Sequence, residues 1–272
     1  MNGYELIALD MDGTLLTSDK RLPDETVRDI NEAVARGKHV ALCTGRCVPE
    51  LKEYREKLAS VRYAVAVSGA VLYDLWEDRT LYAVGVEREL AVKIAAVGEA
   101  HGAMVHLLCE DASIVRADQA RHTADFGMGP YQDLFWNIST HVDDILQAAA
   151  ARPFLPKVNL YCRSKEDQAS AYEILKKMPV SIALAENAGL EMSPPGVDKG
   201  SGLRRLAALL GVAMEKVIAV GDGDNDRAML AAAGLAVAMG NAVPEAAAVA
   251  DAVVADNDHN GAGEAIRRYL LR

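Results

Sequence analysis

The chain has 272 residues, 51% of them hydrophobic and 25% charged, the balance of an ordinary globular protein with enough length for one large core or two smaller ones. Its formal net charge of -10 excludes a broad nucleic-acid-binding surface. An anionic ligand can then bind only where a local cation, a lysine or a helix N-terminus overrides that field.

The first element is the apolar run Leu6-Ile7-Ala8-Leu9, which reads as a buried strand of a parallel sheet. It runs directly into Asp10-Met11-Asp12-Gly13-Thr14-Leu15. Side chains on a strand repeat every two residues, so Asp10 and Asp12 leave its carboxyl end on the same side, at the edge where open α/β sheets bind ligands. Two such acids repel each other unless a cation or a shared proton intervenes. Asp24 then caps a helix to about Arg36, with Val27, Ile30 and Val34 on its buried face and Gly37 as its stop. His39–Cys43 is the next strand and ends at Thr44-Gly45-Arg46; a helix over about Val48–Leu58 follows, then a strand Tyr63–Val67 ending in Ser68-Gly69-Ala70. This alternation predicts a doubly wound α/β fold on a parallel sheet.

The texture changes in the middle, where both tryptophans and all three phenylalanines lie between positions 76 and 154. A strand at Lys157–Tyr161, a helix over about Lys165–Lys177 and a strand near Val180–Leu184 close this region. Residues 83–190 are therefore read as a separate α/β domain inserted into a core formed by 1–82 and 191–272. From Lys199 the doubly wound pattern returns. Leu203, Leu206, Ala207 and Leu210 mark a helix face closed by Gly211, and Val217–Val220 is a buried strand. Gly221-Asp222-Gly223-Asp224-Asn225-Asp226 ends that strand; a helix, a short strand at Leu235–Met239 and a terminal helix to about Arg272 complete the pattern.

No leader of the secretory kind is read, because Asp10 and Asp12 interrupt the first apolar run. Ala228–Met239 is too short to cross a bilayer. The expectation is a soluble, cytoplasmic protein with no membrane partner. Cys43, Cys47, Cys109 and Cys162 form no CxxC and no zinc spacing, so they read as reduced, buried thiols without chemistry.

The second acidic turn is neither a calcium loop, which needs glycine where Arg227 stands, nor a dinucleotide loop, which needs glycine where Asp226 stands. If it faces Asp10 and Asp12 across the sheet edge, the combined site is all oxygen and suits magnesium; the alternative is a merely solvated acidic turn. Lys199, opening a helix after Asp198, is placed to supply the local positive charge that phosphate needs, or is a plain surface lysine. Thr44 offers a hydroxyl at a strand end, or a helix cap.

Taken in order, Asp10-x-Asp12-Gly13-Thr14, Thr44-Gly45-Arg46, Lys199 and Gly221-Asp222-x-x-Asn225-Asp226 resemble the haloacid dehalogenase superfamily of phosphotransferases. The insertion between the second and third elements is similar to the cap of its Cof-type (subclass IIB) sugar phosphatases, as are Met239-Gly240-Asn241-Ala242 and Asn257-Asp258 with Gly261. The resemblance implies a Rossmann-like core, a specificity cap and phosphatase activity on small phosphorylated metabolites. It also implies that Asp10 is the nucleophile that forms an aspartyl-phosphate and Asp12 the general acid and base. Mg²⁺ would be held by the Asp10 carboxylate, the Asp12 carbonyl and Asp222, with Asp226 a further ligand or an anchor. Thr44, Gly45 and Lys199 would hold the phosphoryl group, and Asn241 would support the pocket. One departure is Ser68-Gly69-Ala70, where the subfamily usually has Asn-Gly-Ala; serine keeps a hydroxyl but loses reach.

Two other classes stay open at this point: a phosphomutase using the same aspartyl-phosphate, and a silent phosphometabolite-binding protein. In the inserted region His106, His122, Tyr131, Trp136, Lys157 and Asn159 are candidates for contact with the leaving group or for ordinary packing. A hexose phosphate, a polyol phosphate and a pyridoxal or flavin phosphate all remain possible substrates. Oligomeric state is not legible.

Overall fold

The computed structural model describes residues 3–185 and 188–272. The chain divides into two compact units, the first within Met1–Arg46, Glu53–Tyr82 and Asp198–Arg272, the second within Cys47–Lys52 and Ala83–Val197. The return to the first unit thus falls at Asp198, later than the composition change near 190, and the short segment Cys47–Lys52 groups with the second unit.

The first unit is built on an eight-stranded sheet in the order Ala252–Val253, Leu235–Ala238, Val217–Gly221, Leu6–Leu9, His39–Cys43, Tyr63–Ala66, Val71–Asp74, Arg79–Ala83. The first six are parallel, and Val71–Asp74 returns antiparallel to Tyr63–Ala66. Leu6–Leu9 is buried along its whole length, as a central strand covered on both faces requires. Its register matters most for function. Leu9 pairs with Val220 on one side and Leu42 on the other, so Asp10, Gly221 and Cys43 stand level at the carboxyl edge.

Leu203, Leu206 and Ala207 of the helix Lys199–Leu210 pack with Leu6, Ala8, Val65 and Val217 in one core cluster. The helix Asp24–Ala35 differs from expectation in two ways. Asp24 is its first residue and not its cap, and the carboxylate binds Lys57 at 2.7 Å. The buried face is Thr26, Asp29, Ile30 and Ala33, with Val27 and Val34 only half-buried. Polar partners from the C-terminal segment explain the rotation: Thr26 Oγ1 donates to Asn260 Oδ1 at 2.6 Å, and Asp29 pairs with Arg267.

Residues Val48–Tyr54 form a 3₁₀ helix in place of the expected α-helix. Their buried apolar side chains Val48, Leu51 and Tyr54 recur every three residues, the repeat of a 3₁₀ turn.

The second unit is a six-stranded sheet in the order Ser181–Ala185, Gly189–Ser193, Lys157–Tyr161, Met104–Leu108, Ser113–Arg116, Thr140–Val142. All neighbours are antiparallel except the last pair. One apolar cluster gathers Ile94, Val105, Leu107, Ile145, Val158, Leu160 and Ala171; a second gathers Met104, Val115, Phe126, Phe135 and Tyr161. The period-two split of Val158 and Leu160 from Tyr161 assigns the clusters to opposite faces.

Candidate active site

Asp10 follows the first strand, and its N–H donates to Val220 O at 3.0 Å, which fixes the residue to the neighbouring strand. Lys199 is the first residue of its helix, where Asp198 is the cap: the Asp198 carboxylate accepts from Ser201 N, and Ser201 closes the reciprocal bond. That cap aims Lys199 inward. Its side chain is 1% exposed, and Nζ donates to Asp10 Oδ1 at 2.5 Å and to Asp226 Oδ1 at 2.6 Å.

Asp226 is saturated on its other oxygen, where Oδ2 accepts the N–H groups of Asp222 (2.9 Å) and Gly223 (2.8 Å). Asp222 Oδ1 in turn accepts from Thr14 Oγ1 at 2.6 Å. Gly13 allows this closeness. Its φ is +84°, and a β-carbon there would sit 2.2 Å from Asp222 Oδ2.

Carboxylate oxygens of Asp10, Asp222 and Asp226 all lie within 4.8 Å of one another. Burial first, then Asp226, raises the Asp10 carboxyl well above the usual carboxylate range, although Lys199 opposes the shift. Burial likewise pushes Asp222 up to about 6, with Thr14 opposing and Asp226 adding to it. Lys199 moves the other way from an ordinary buried lysine: burial favours its neutral form, but Asp10 and Asp226 outweigh burial and keep it charged. Three acids facing one lysine leave an excess of negative charge, and an all-oxygen donor set of this kind fits a hard divalent cation.

Asp12 goes elsewhere. Its carboxylate is gripped by Arg46, Nε to Oδ2 at 2.7 Å and Nη2 to Oδ1 at 2.9 Å, and by Lys20 Nζ at 2.8 Å. Burial works against the charge on Asp12, but the Arg46 fork and Lys20 prevail and hold the carboxyl well below the usual range.

Thr44 is buried, and its hydroxyl accepts the N–H of Arg46 at 3.2 Å, a turn-capping bond at the end of its strand. Gly45 is half-buried beside it. Asn241 donates Nδ2 to Gly13 O at 2.8 Å and accepts Asn257 N at 3.1 Å, so it steadies the glycine turn. Asn257 Nδ2 reaches Leu16 O, and Asp258 accepts both the N–H and the hydroxyl of Ser18. The C-terminal motif thus fastens the loop that follows Asp10. Asn225 and Asp224 are exposed, the latter paired with Arg227.

Of the sequence candidates, Asp10, Lys199, Asp222 and Asp226 converge directly. Thr14, Arg46 and Lys20 join the site without a role that the sequence assigns: Thr14 and Arg46 lie inside the motifs, whereas Lys20 carries no sequence signal. In the second unit His106, Lys157 and Asn159 are buried, His122 and Trp136 are exposed, and Tyr131 is half-buried.

A parallel sheet with two acidic strand ends and a capped lysine defines a phosphoryl-transfer type of site on a Rossmann-like core. The sequence profile of the haloacid dehalogenase-like hydrolases matches residues 7–266, and the chain belongs to that family. The phosphatase YwpJ of Bacillus subtilis is 28% identical over 290 residues, covering 98% of this chain and 100% of that protein. The 5-amino-6-(5-phospho-D-ribitylamino)uracil phosphatase YcsE of the same organism is 26% identical, covering 98% and 96%. A solved haloacid dehalogenase-like hydrolase from B. subtilis superposes with a TM-score of 0.85 at 25% identity, covering 97% of this chain and 99% of the other.

Proposed function

We propose that this chain is a Mg²⁺-dependent phosphatase of small phosphorylated metabolites that works through an aspartyl-phosphate on Asp10. The observation that carries this reading is the buried Lys199 bridging Asp10 and Asp226, with Asp222 beside them. An anionic carboxylate can attack an anionic phosphoryl group only if the opposing charge is neutralised, and that demand accounts for the whole set. The phosphatase names of the relatives agree with it.

Asp10 attacks phosphorus and expels the alcohol; a covalent carboxylate intermediate divides one hard displacement into two easier ones. Asp12 hands the leaving oxygen a proton and then takes one from the attacking water, a contribution of about 10²- to 10⁴-fold. Lys199 orients Asp10 and offsets the phosphoryl charge. Thr44, Gly45 and the loop that Asn241 steadies hold the phosphoryl oxygens. The Asp10 and Asp222 carboxylates and the Asp12 carbonyl would hold Mg²⁺, with Asp226 as the anchor of Lys199 and of the Asp222 turn. When bound, the ion supplies charge neutralisation on the transferring group. The second unit serves as the cap that selects the leaving group. We place the protein in the cytoplasm, where its four buried cysteines stay reduced.

Inorganic phosphate released from a panel of hexose, polyol, pyridoxal and flavin phosphates tests this reading. Release should require Mg²⁺, stop with EDTA and resume when Mg²⁺ is restored. Asp10→Asn should lower it by on the order of 10³-fold or more with the fold intact by circular dichroism. Full turnover in chelator sinks the metal assignment, undiminished turnover by Asp10→Asn sinks the nucleophile, and transfer that needs a bisphosphate primer makes the protein a mutase.

A further inference from the structure

The grip on Asp12 is more elaborate than a tie between two surface loops requires. Arg46 is 7% exposed and presents its guanidinium edge-on, so both carboxylate oxygens are engaged at once. The rest of the guanidinium is fixed too: it lies over the Tyr54 ring, 5.4 Å from the centroid, and Nη1 is 3.6 Å from Glu53. Tyr54 OH donates to Lys20 O at 3.1 Å, which ties down the backbone carrying the second cation. The Arg46 backbone is held at both ends, its N–H on Thr44 Oγ1 and its carbonyl accepting from Val67 N at 2.9 Å. This web has a physical task. The carboxylates of Asp10, Asp222 and Asp226 cluster on their own, and Asp12 is not among them. Left free, the Asp12 side chain would be drawn to any cation that this cluster binds. The fork holds it out of that set while its backbone stays in the glycine turn.

We propose that Arg46, seconded by Lys20, is the positioning residue that places the Asp12 side chain for proton transfer to the leaving group; one of these contacts opens when Asp12 takes up the proton that it delivers. The inference rests on the assignment of Asp12 as the acid and base, and deepens it. A planar fork fixes the carboxylate in two dimensions, which a lysine at position 46 does only in part.

The test compares two esters. p-Nitrophenolate leaves without a proton, whereas an alkoxide from a simple alkyl phosphate needs one. Arg46→Met should lower kcat on the alkyl ester about 10-fold or more beyond its effect on p-nitrophenyl phosphate. Arg46→Lys should recover part of that preference, and Lys20→Met should show it to a smaller degree. Equal losses on both esters for Arg46→Met, or no rescue by Arg46→Lys, overturn the proposal. Asp12→Ala separates the two levels: an ester preference in Asp12→Ala that Arg46→Met lacks overturns the positioning role and leaves Asp12 in place. No preference in Asp12→Ala removes both assignments together. Lys20→Met, on a third-exposed side chain, supplies the same reading if Arg46→Met does not fold.

Discussion

Each unit buries a polar constellation, and the two are compensated in opposite ways. In the first, the buried ammonium of Lys199 meets one carboxylate oxygen of Asp10 and one of Asp226. In the second, beside the ion pair of the buried Lys157 with Glu191, two uncharged side chains, His106 and Asn159, face each other in register on neighbouring strands and are 3% and 4% exposed. His106 Nε2 lies 2.7 Å from Ser113 Oγ, and Asn159 donates to Tyr161 OH at 3.0 Å, yet among the described residues His106 Nδ1 and Asn159 Oδ1 have no hydrogen-bond partner. An unpaired buried charge costs far more than an unpaired neutral atom, and the ammonium of Lys199 is held by two carboxylates.

The sharpest way to break this contrast is to remove the one cation that balances the acids. Lys199→Met leaves Asp10 and Asp226 facing each other without the ammonium between them, and should cost about 3–5 kcal/mol of stability in urea unfolding. Pairing it with Asp10→Asn should recover part of that loss, since one of the uncompensated charges is gone. If Lys199→Met unfolds at the wild-type midpoint in chelator, the lysine is not the balancing charge.

How much of this was legible beforehand follows the same contrast. Residues at strand ends announce themselves, because a parallel sheet concentrates Asp, Gly and Thr there and the strands before them are uniformly apolar. Asp10 and Asp222 were readable for that reason, as was the parallel core; Lys199 was marked instead by its place at the head of the helix after Asp198. Arg46 and Lys20 were not, since a cation beside a loop looks the same whether it faces water or a carboxylate. The 3₁₀ helix at Val48–Tyr54 was missed because its three-residue spacing partly overlaps the helical one. In the second unit His106 and Asn159 sit in mid-strand, where only register shows that they pair. The aromatic richness there is mostly core: Phe126 and Phe135 are fully buried, while Trp136 lies outside against His141 and Arg121.

The neutral constellation has its own test. Burial, with Lys157 adding to it, pulls the His106 imidazole down to about 3. An unfolded histidine takes up its proton near pH 6.5, so below that pH the unfolded chain binds a proton the folded one refuses. Stability is therefore kept above about pH 6.5 and falls as the pH drops toward 3, by about 2 kcal/mol between pH 7 and 5 from this group. The 3.5 Å approach of Glu50 to Nε2 is accordingly a contact with a neutral ring. Urea titrations at the two pH values should show that His106→Leu removes this part of the pH dependence. An unchanged slope would mean that the histidine takes up its proton in the folded chain as readily as in the unfolded one, and that burial does not keep it neutral.

The smallest expected effect concerns Ser68, where the chain departs from the usual asparagine. Val67, Ser68 and Gly69 are left-handed in succession, with φ of 49°, 53° and 96°. The turn survives because neighbours over-determine it: Val67 N donates to Arg46 O and Ser68 N to Thr44 O, both at 2.9 Å. Gly69 cannot change, since a β-carbon would lie 2.0 Å from Asp198 O, next to the lysine that the site depends on. At Ser68 the backbone is equally left-handed but the side chain is half-buried, and asparagine tolerates this region better than serine. Ser68→Asn should therefore raise stability slightly, by about 0.5 kcal/mol, and leave kcat on p-nitrophenyl phosphate unchanged. A loss of more than about 1 kcal/mol would mean that the hydroxyl's own contact outweighs the relief of backbone strain. A shift in KM confined to substrates with larger leaving groups would put position 68 beside the part of the substrate that departs.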